Sequence, residues 1–186
     1  MKTTKTPIVI VLVIAVVLGI VVATGDFSSK PESVVATDDF SSKPENVAEN
    51  FLTAYFESNG FEALDNMSDI AFSLQANGDK YETERAKNEF ASELNNYDIN
   101  NFTIKNTDCI ELEGYERDEY VYNFLNYYFP DDSVGYYYDI YSDNVGKVVY
   151  CRVDVEFEYV DGYVESDTLN IYLWEEYGKW VVCEVD

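Results

Sequence analysis

The residues able to do chemistry in this 186-residue chain are 3 cysteines, 17 tyrosines and 36 acids, and there is no histidine. Without histidine there is no His-based triad, no His-ligated zinc, and none of the commonest general base near neutrality. Cys109, Cys151 and Cys183 are too dispersed for a zinc cluster, and in an exported chain one of the three stays odd. Asp154, Glu156 and Glu158 alternate along one stretch, about 6.6–7 Å apart if it is a strand. Their repulsion could draw in Ca²⁺, but a solvated face beside Arg152 accounts for them without it. Asp131-Asp132 and the acids from Asp139 to Asp143 match no EF-hand spacing. No metal or other cofactor is expected. Tyr120, Tyr122, Tyr127, Tyr128, Tyr136, Tyr137 and Tyr138 fall in one tyrosine-dense segment. Tyrosine adds rigid amphipathic area at low entropic cost, which would suit carbohydrate or peptide binding; ordinary packing is the plainer alternative. Asn66-Met67-Ser68 and Asn101-Phe102-Thr103 are sequons, which makes Asn66 and Asn101 candidate glycosylation sites after export.

Whether export happens depends on the apolar run from Ile8 to Ala23. Its 16 residues cover roughly 24 Å as a helix, between a long signal core and a short membrane span. Lys2 and Lys5 precede it and no acid does, which places the N-terminus in the cytoplasm and the rest outside. We expect an uncleaved single-pass anchor at the cell membrane; the alternative is secretion after cleavage near Gly25. No cysteine follows the run, so a lipidated N-terminal cysteine is excluded.

Beyond Gly25 the chain holds all 36 acids and 10 of the 12 bases, a net charge of −26. Such a surface repels phosphate backbones and anionic headgroups, so nucleic acid is excluded as a partner. A cationic or basic partner fits. An envelope protein, a glycan or a small molecule stays open.

The elements that would position these groups follow from hydrophobic period. Asp26-Phe27-Ser28-Ser29-Lys30-Pro31-Glu32 recurs as Asp39-Phe40-Ser41-Ser42-Lys43-Pro44-Glu45, and its composition reads as a stalk. Ser42 and Glu45 fit a capping box that opens a helix. That helix carries Val47, Ala48, Phe51, Leu52, Tyr55 and Phe56 on one stripe, and Asn59-Gly60 ends it as a left-handed cap. A short helix with Phe61, Leu64 and Met67 inward comes next, then one with Ile70, Ala71, Phe72 and Leu74, then a stripe of Ala86, Phe90, Ala91 and Leu94. The period then falls to two. Phe102, Ile104, Ile110 and Leu112 share a parity. Val149, Cys151, Val153, Val155, Phe157 and Tyr159 share a face, with charged residues between them. Asp161-Gly162 is a hairpin turn, Leu169, Ile171 and Leu173 form the next strand, and Trp180 to Val185 closes an antiparallel meander. Cys151 and Cys183 then lie two strands apart, beyond disulfide reach, as small buried hydrophobes. From Asp118 to Phe129 a helix and a strand read almost equally well.

Helices first and a meander last is an α+β order. The division is 1–24 anchor or signal, 25–44 stalk, and 45–186 a single α+β domain. The chain resembles the nuclear-transport-factor-2-like superfamily, close to its small membrane-tethered envelope members. The resemblance is carried by Ala48-Glu49-Asn50-Phe51-Leu52-Thr53-Ala54-Tyr55-Phe56, by Tyr97-Asp98-Ile99-Asn100-Asn101-Phe102-Thr103-Ile104, and by Tyr172-Leu173-Trp174-Glu175-Glu176-Tyr177-Gly178-Lys179-Trp180-Val181-Val182. It implies a helical N-terminal half packed on a curved antiparallel sheet, with the tyrosine-dense segment inserted. That superfamily hosts enzymes, ligand binders and interaction domains, so the fold alone assigns no function. An enzyme similar to its ketosteroid isomerases would need an acid inside the cone and a Tyr or protonated Asp for an oxyanion. Asp108 shares parity with Phe102 and Ile110 and is the candidate base, unless a bulge near Asn106 turns it out. The expected function is a non-enzymatic binding or structural role at the envelope. The alternatives are a cofactor-free isomerase or lyase with an Asp/Tyr pocket, and an adhesin that uses the tyrosine segment.

Overall fold

The computed structural model describes residues 43–76, 78–94, 99–128 and 141–186. The apolar run, the stalk and Ser42 lie outside them. Among the described residues no helix is long and apolar enough to cross a membrane.

Helix α1 (Pro44–Phe56) opens with Pro44 in its first turn, and Lys43 occupies the N-cap without a side-chain cap bond. The expected cap at Ser42 is therefore one residue early. Proline suits that first position because its missing N–H would have no helical partner there. The helix closes through Ser58, at φ 59°, rather than Gly60, and the Asn59 N–H donates back to the Ala54 carbonyl at 2.8 Å. Asn59 then caps α2 (Gly60–Leu64) by accepting the Glu62 N–H. Gly60 serves a close approach: a Cβ there would meet the Ala91 carbonyl oxygen at 2.0 Å. Helix α3 (Asp69–Gln75) buries Ile70, Ala71, Phe72 and Leu74 as its pattern requires. Helix α4 (Lys80–Glu93) is capped by Asp79 and turns Ala91 inward, with Leu94 buried just beyond its end. Phe61, expected inward, is 69% exposed. Ala63 takes the inward position on α2, because the close contact with α4 at Gly60 fixes the roll of this one-turn helix.

The sheet runs β1 (Ile99–Leu112), β2 (Val145–Tyr159), β3 (Val164–Glu176), β4 (Lys179–Val185), in that order and antiparallel throughout. The meander is as expected, and the two-residue turn Tyr177-Gly178 has both residues at positive φ, the backbone that matches strand twist in a hairpin. Its inner face presents Val149, Cys151, Val153, Val155, Phe157, Leu169, Ile171, Leu173 and Val182 to α1, α2 and Phe72 of α3. The strand alternation therefore sets which side the first helices cover.

Helix α5 (Tyr115–Tyr128) settles the ambiguous segment in favour of a helix. It lies on the other side of the sheet, where Val121 and Leu125 pack with Val145, Val148, Trp174, Val181 and Cys183. Phe124 and Tyr128 join them as partly buried neighbours. Ile70 and Leu74 of α3 belong to this second core while Phe72 belongs to the first, so α3 bridges the two at the end of the sheet. Arg117 fixes α5 to the start of β2: its guanidinium donates to the carbonyls of Ser142 and Gly146 at 3.2 Å and to that of Val145.

Candidate functional site

Register decides which side chains meet. Strand β1 carries an extra residue at Lys105, since Ile104 pairs with Val155 while Asn106 pairs with Asp154. Each extra residue flips the faces that follow it. Phe102 and Ile104 stay inside, but Asp108 turns to the outer face, opposite Arg152, and is exposed. Ile110 follows it out at 58% exposure. The shared parity of Phe102, Ile104, Ile110 and Leu112 is therefore broken, and Asp108 is not an acid inside a cone. The space where such an acid would act is filled. Phe56 stacks on Phe102 at 4.6 Å and meets Phe157 edge-on at 4.9 Å, and Phe72 meets Phe90 at 5.9 Å. Two depressions of about 280 and 320 Å³ are open to solvent, one beside the Tyr177-Gly178 turn and the other across the sheet around Lys105, Asp154 and Thr168.

The same flip places Cys109 on the inner face, directly opposite Cys151, with Cα atoms 4.0 Å apart and a disulfide between them. Cys151 is therefore a bonded half-cystine and not simply a small hydrophobe. Cys183 stays unbonded and buried. It sits on β4, with β3 between it and Cys151, and packs in the outer core.

On the outer face, one row crosses all four strands: Ile110, Tyr150, Tyr172 and Glu184 are successive lateral neighbours. Helix α5 adds Tyr120, whose ring stacks on Tyr172 with centroids 4.5 Å apart and planes 11° from parallel. The Tyr120 hydroxyl donates to Glu184 Oε2 at 2.8 Å and lies 3.4 Å from Cys183 Sγ. Tyr150 leans on Tyr172 at 5.1 Å and donates its hydroxyl to Asn170 Oδ1 at 2.6 Å. The next row holds Asp108, Arg152 and Asn170. Together these form an aromatic shelf with hydrogen-bonding groups along one rim.

The electrostatics favour holding over reacting. Burial, with Cys183 and Glu184 nearby, pushes the Tyr120 hydroxyl well above its ordinary range. Burial likewise pushes the Cys183 thiol up, which removes the thiolate a nucleophile needs. Both groups therefore stay protonated near neutrality. Among the described residues no cluster of His, Cys, Asp or Glu is set to hold a metal ion. The acids of β2 are answered locally: Lys105 meets Glu156 at 2.9 Å, and Thr168 donates to Asp154 at 2.7 Å.

The tyrosine candidates divide. Tyr120 joins the shelf, and Tyr128 is half-buried beside Phe124 at 5.4 Å. Tyr122 and Tyr127 are exposed at 43% and 66%, and Tyr136, Tyr137 and Tyr138 lie outside the described residues. The sequons divide too. Asn66 is bound into the fold: its carbonyl accepts the Val182 N–H at 2.7 Å and its amide donates to the Glu62 carbonyl at 2.9 Å. Its Ser68 is fully buried. Asn101 is exposed on the first strand. Tyr150 and Tyr172, central to the shelf, carried one sequence signal: each is an aromatic at a position of its strand that alternates with the core residues. Comparison of the chain with protein-family models, curated proteins and solved structures finds no match.

Proposed function

We propose that the chain is a membrane-anchored domain held outside the cytoplasm, with a non-enzymatic binding role at the cell envelope exercised through the outer sheet face. The observation that carries this reading is the Cys109–Cys151 bond. Disulfides form and persist in oxidising compartments outside the cytoplasm, the side to which the run from Ile8 to Ala23 directs the chain. The run acts as the membrane helix and the stalk as a spacer. Kinship with the nuclear-transport-factor-2-like superfamily belongs to the same proposal. Helices followed by a meander support it, and bulges of the kind seen at Lys105 bend a strand and favour a curved sheet. Helix α5 on the outer face is the departure from that pattern.

Binding is preferred to catalysis because the inner space is filled by aromatic rings and Asp108 is outside it. The shelf of Tyr120, Tyr150 and Tyr172 offers stacking area with Asn170, Arg152 and Asp108 at its rim, a combination that suits recognition. Two measurements test the reading. A reporter enzyme active only outside the cytoplasm, fused after Asp186, is expected to be active, and inactive when residues 1–24 are removed. Activity in both fusions, or in neither, overturns the anchored arrangement. For the shelf, replacing Tyr150 with Ser is expected to abolish recruitment of the domain's envelope partner in whole cells while the fold persists; unchanged recruitment removes the shelf from the reading.

A further inference from the structure

The turn joining β2 to β3 carries apolar residues that its own folding does not need. Val160 is 73% exposed, Tyr163 55% and Val164 51%. The half-buried Tyr159 ring lies 5.9 Å from that of Tyr163, so two aromatic rings adjoin at the tip. The turn backbone is fixed without these side chains. The Tyr159 N–H donates to the Tyr163 carbonyl and the Gly162 N–H to the Tyr159 carbonyl, both at 2.8 Å. Asp161 accepts the Tyr163 N–H at 3.1 Å, and Gly162 supplies the positive φ of 80°. Turns of this kind are normally filled by polar residues, and a contiguous exposed apolar patch marks an interaction site.

Charge defines the partner. The tip lies just beyond Phe157, whose ring meets that of Phe56 at the end of α1. Between Glu156 and Asp167 there are five acids and no Lys or Arg; Glu156 is paired with Lys105 from β1, and Glu158, Asp161, Glu165 and Asp167 form the acidic rim. An anionic lipid surface is repelled by that rim, and so is a second copy of the chain, which carries the same acids.

We propose that the β2–β3 hairpin tip is a docking wedge for a basic protein partner, which receives Val160, Tyr163 and Val164 in an apolar cleft edged by Lys or Arg. The proposal goes beyond the shelf on the outer face and uses a separate surface. The turn backbone is already hydrogen-bonded before binding, so little backbone ordering entropy is lost on docking.

The test uses the full-length chain in neutral detergent micelles and three synthetic peptides of equal length: an amphipathic Lys/Leu peptide, a Lys/Ser peptide and a Glu/Leu peptide. Binding is read by fluorescence anisotropy at fixed salt. The Lys/Leu peptide is expected to bind at least about tenfold more tightly than either other peptide. The triple variant Val160→Ser, Tyr163→Ser, Val164→Ser is expected to abolish that preference. Neutralising three acids on α4 (Glu82→Gln, Glu84→Gln, Glu89→Gln) should weaken both cationic peptides alike and preserve their ratio. Hydrogen exchange with bound Lys/Leu peptide should protect residues 159–164 in the unaltered chain, a readout independent of the variants. A preference that survives the tip variant, equal binding of Lys/Ser or Glu/Leu, protection elsewhere, or self-association lost with the tip each overturns the proposal.

Discussion

The Ser68 hydroxyl donates to Glu176 Oε2 at 2.6 Å, joining residues 108 positions apart in a buried site. The same oxygen accepts the Trp174 indole N–H at 3.1 Å, and the Ile70 N–H approaches the other carboxylate oxygen at 3.2 Å. One carboxylate thus ties the end of β3 to the start of α3, where the two cores meet. Ser68 also accepts the Ala71 N–H at 3.0 Å, so it caps α3 while it is held by the sheet. Replacing Glu176 with Ala leaves the Ser68 hydroxyl and the Ile70 N–H without their carboxylate partner, while the Trp174 N–H keeps Ser68 Oγ at 3.1 Å. Since each unsatisfied buried donor costs about 1–3 kcal/mol, the expected loss is on the order of 3 kcal/mol, read by urea denaturation. A loss below about 1 kcal/mol would mean that water replaces the carboxylate.

Glu176 also makes stability depend on pH. Burial raises its carboxyl above the ordinary range, while the donors from Ser68, Trp174 and Ile70 pull it the other way and Asp69 adds to the rise. The folded chain therefore holds this proton to higher pH than the unfolded chain does. Its stabilising contribution is complete below the unfolded pKa and is lost as pH rises through the folded one. Glu176→Gln removes the titration. The difference in Tm between the unaltered chain and this variant is expected to shift against the unaltered chain as pH rises from about 4 towards 7. A difference that stays flat across that window rejects the assignment.

Gly60→Ala should separate α2 from α4. The obstructing atoms are the backbone carbonyl and Cα of Ala91, at 2.0–2.7 Å from a built Cβ, and backbone cannot rotate away. The expected destabilisation is about 3 kcal/mol, the upper end of overpacking effects. Ala91→Gly on the same chain should give no rescue, because the clash is with main chain. Rescue in that double variant would show that the side chain was the obstacle.

Reducing the Cys109–Cys151 bond frees a loop of 42 residues. In the chain-entropy account a loop of that length is worth about 4 kcal/mol. Denaturation with and without reductant measures the difference, and peptide mapping should find this bond with Cys183 as a thiol. A map linking Cys183 to either partner contradicts the strand order.

Arg117→Lys is expected to loosen α5 almost as much as Arg117→Ala, by about 2 kcal/mol. The carbonyls of Ser142, Val145 and Gly146 are met by the fork of a guanidinium, which a single ammonium cannot reproduce. Hydrogen exchange along residues 115–128 should accelerate in both variants and not on β3. Full retention by Lys would reduce the contact to a simple charge.

Much of the architecture was legible because period is a local property. The inward stripe of α1, the buried run of β2 and the turns at Gly162 and Gly178 each follow from spacings within about a dozen residues. The shelf was legible only in pieces. Tyr120 could be picked out as part of a tyrosine-rich segment, but its partners Tyr172 and Glu184 come from strands more than fifty residues away. The Ser68–Glu176 contact carried no local signal, since a serine before a short helix and an acid before a turn are both ordinary at the surface.

The sequence by itself determined an α+β chain of helices followed by an antiparallel meander, an acidic surface, and an apolar run with the features of an anchor. These depend on composition and on periods of 3.6 and 2, which need no knowledge of what lies opposite. The tertiary structure alone decided that Asp108 faces solvent, that Cys109 rather than Cys183 meets Cys151, and that α5 covers the outer face. A strand's alternation fixes its faces only relative to its register. The single extra residue at Lys105 reverses every face after it, and where that residue is accommodated is settled by the backbone of β2, forty-nine positions further along the chain.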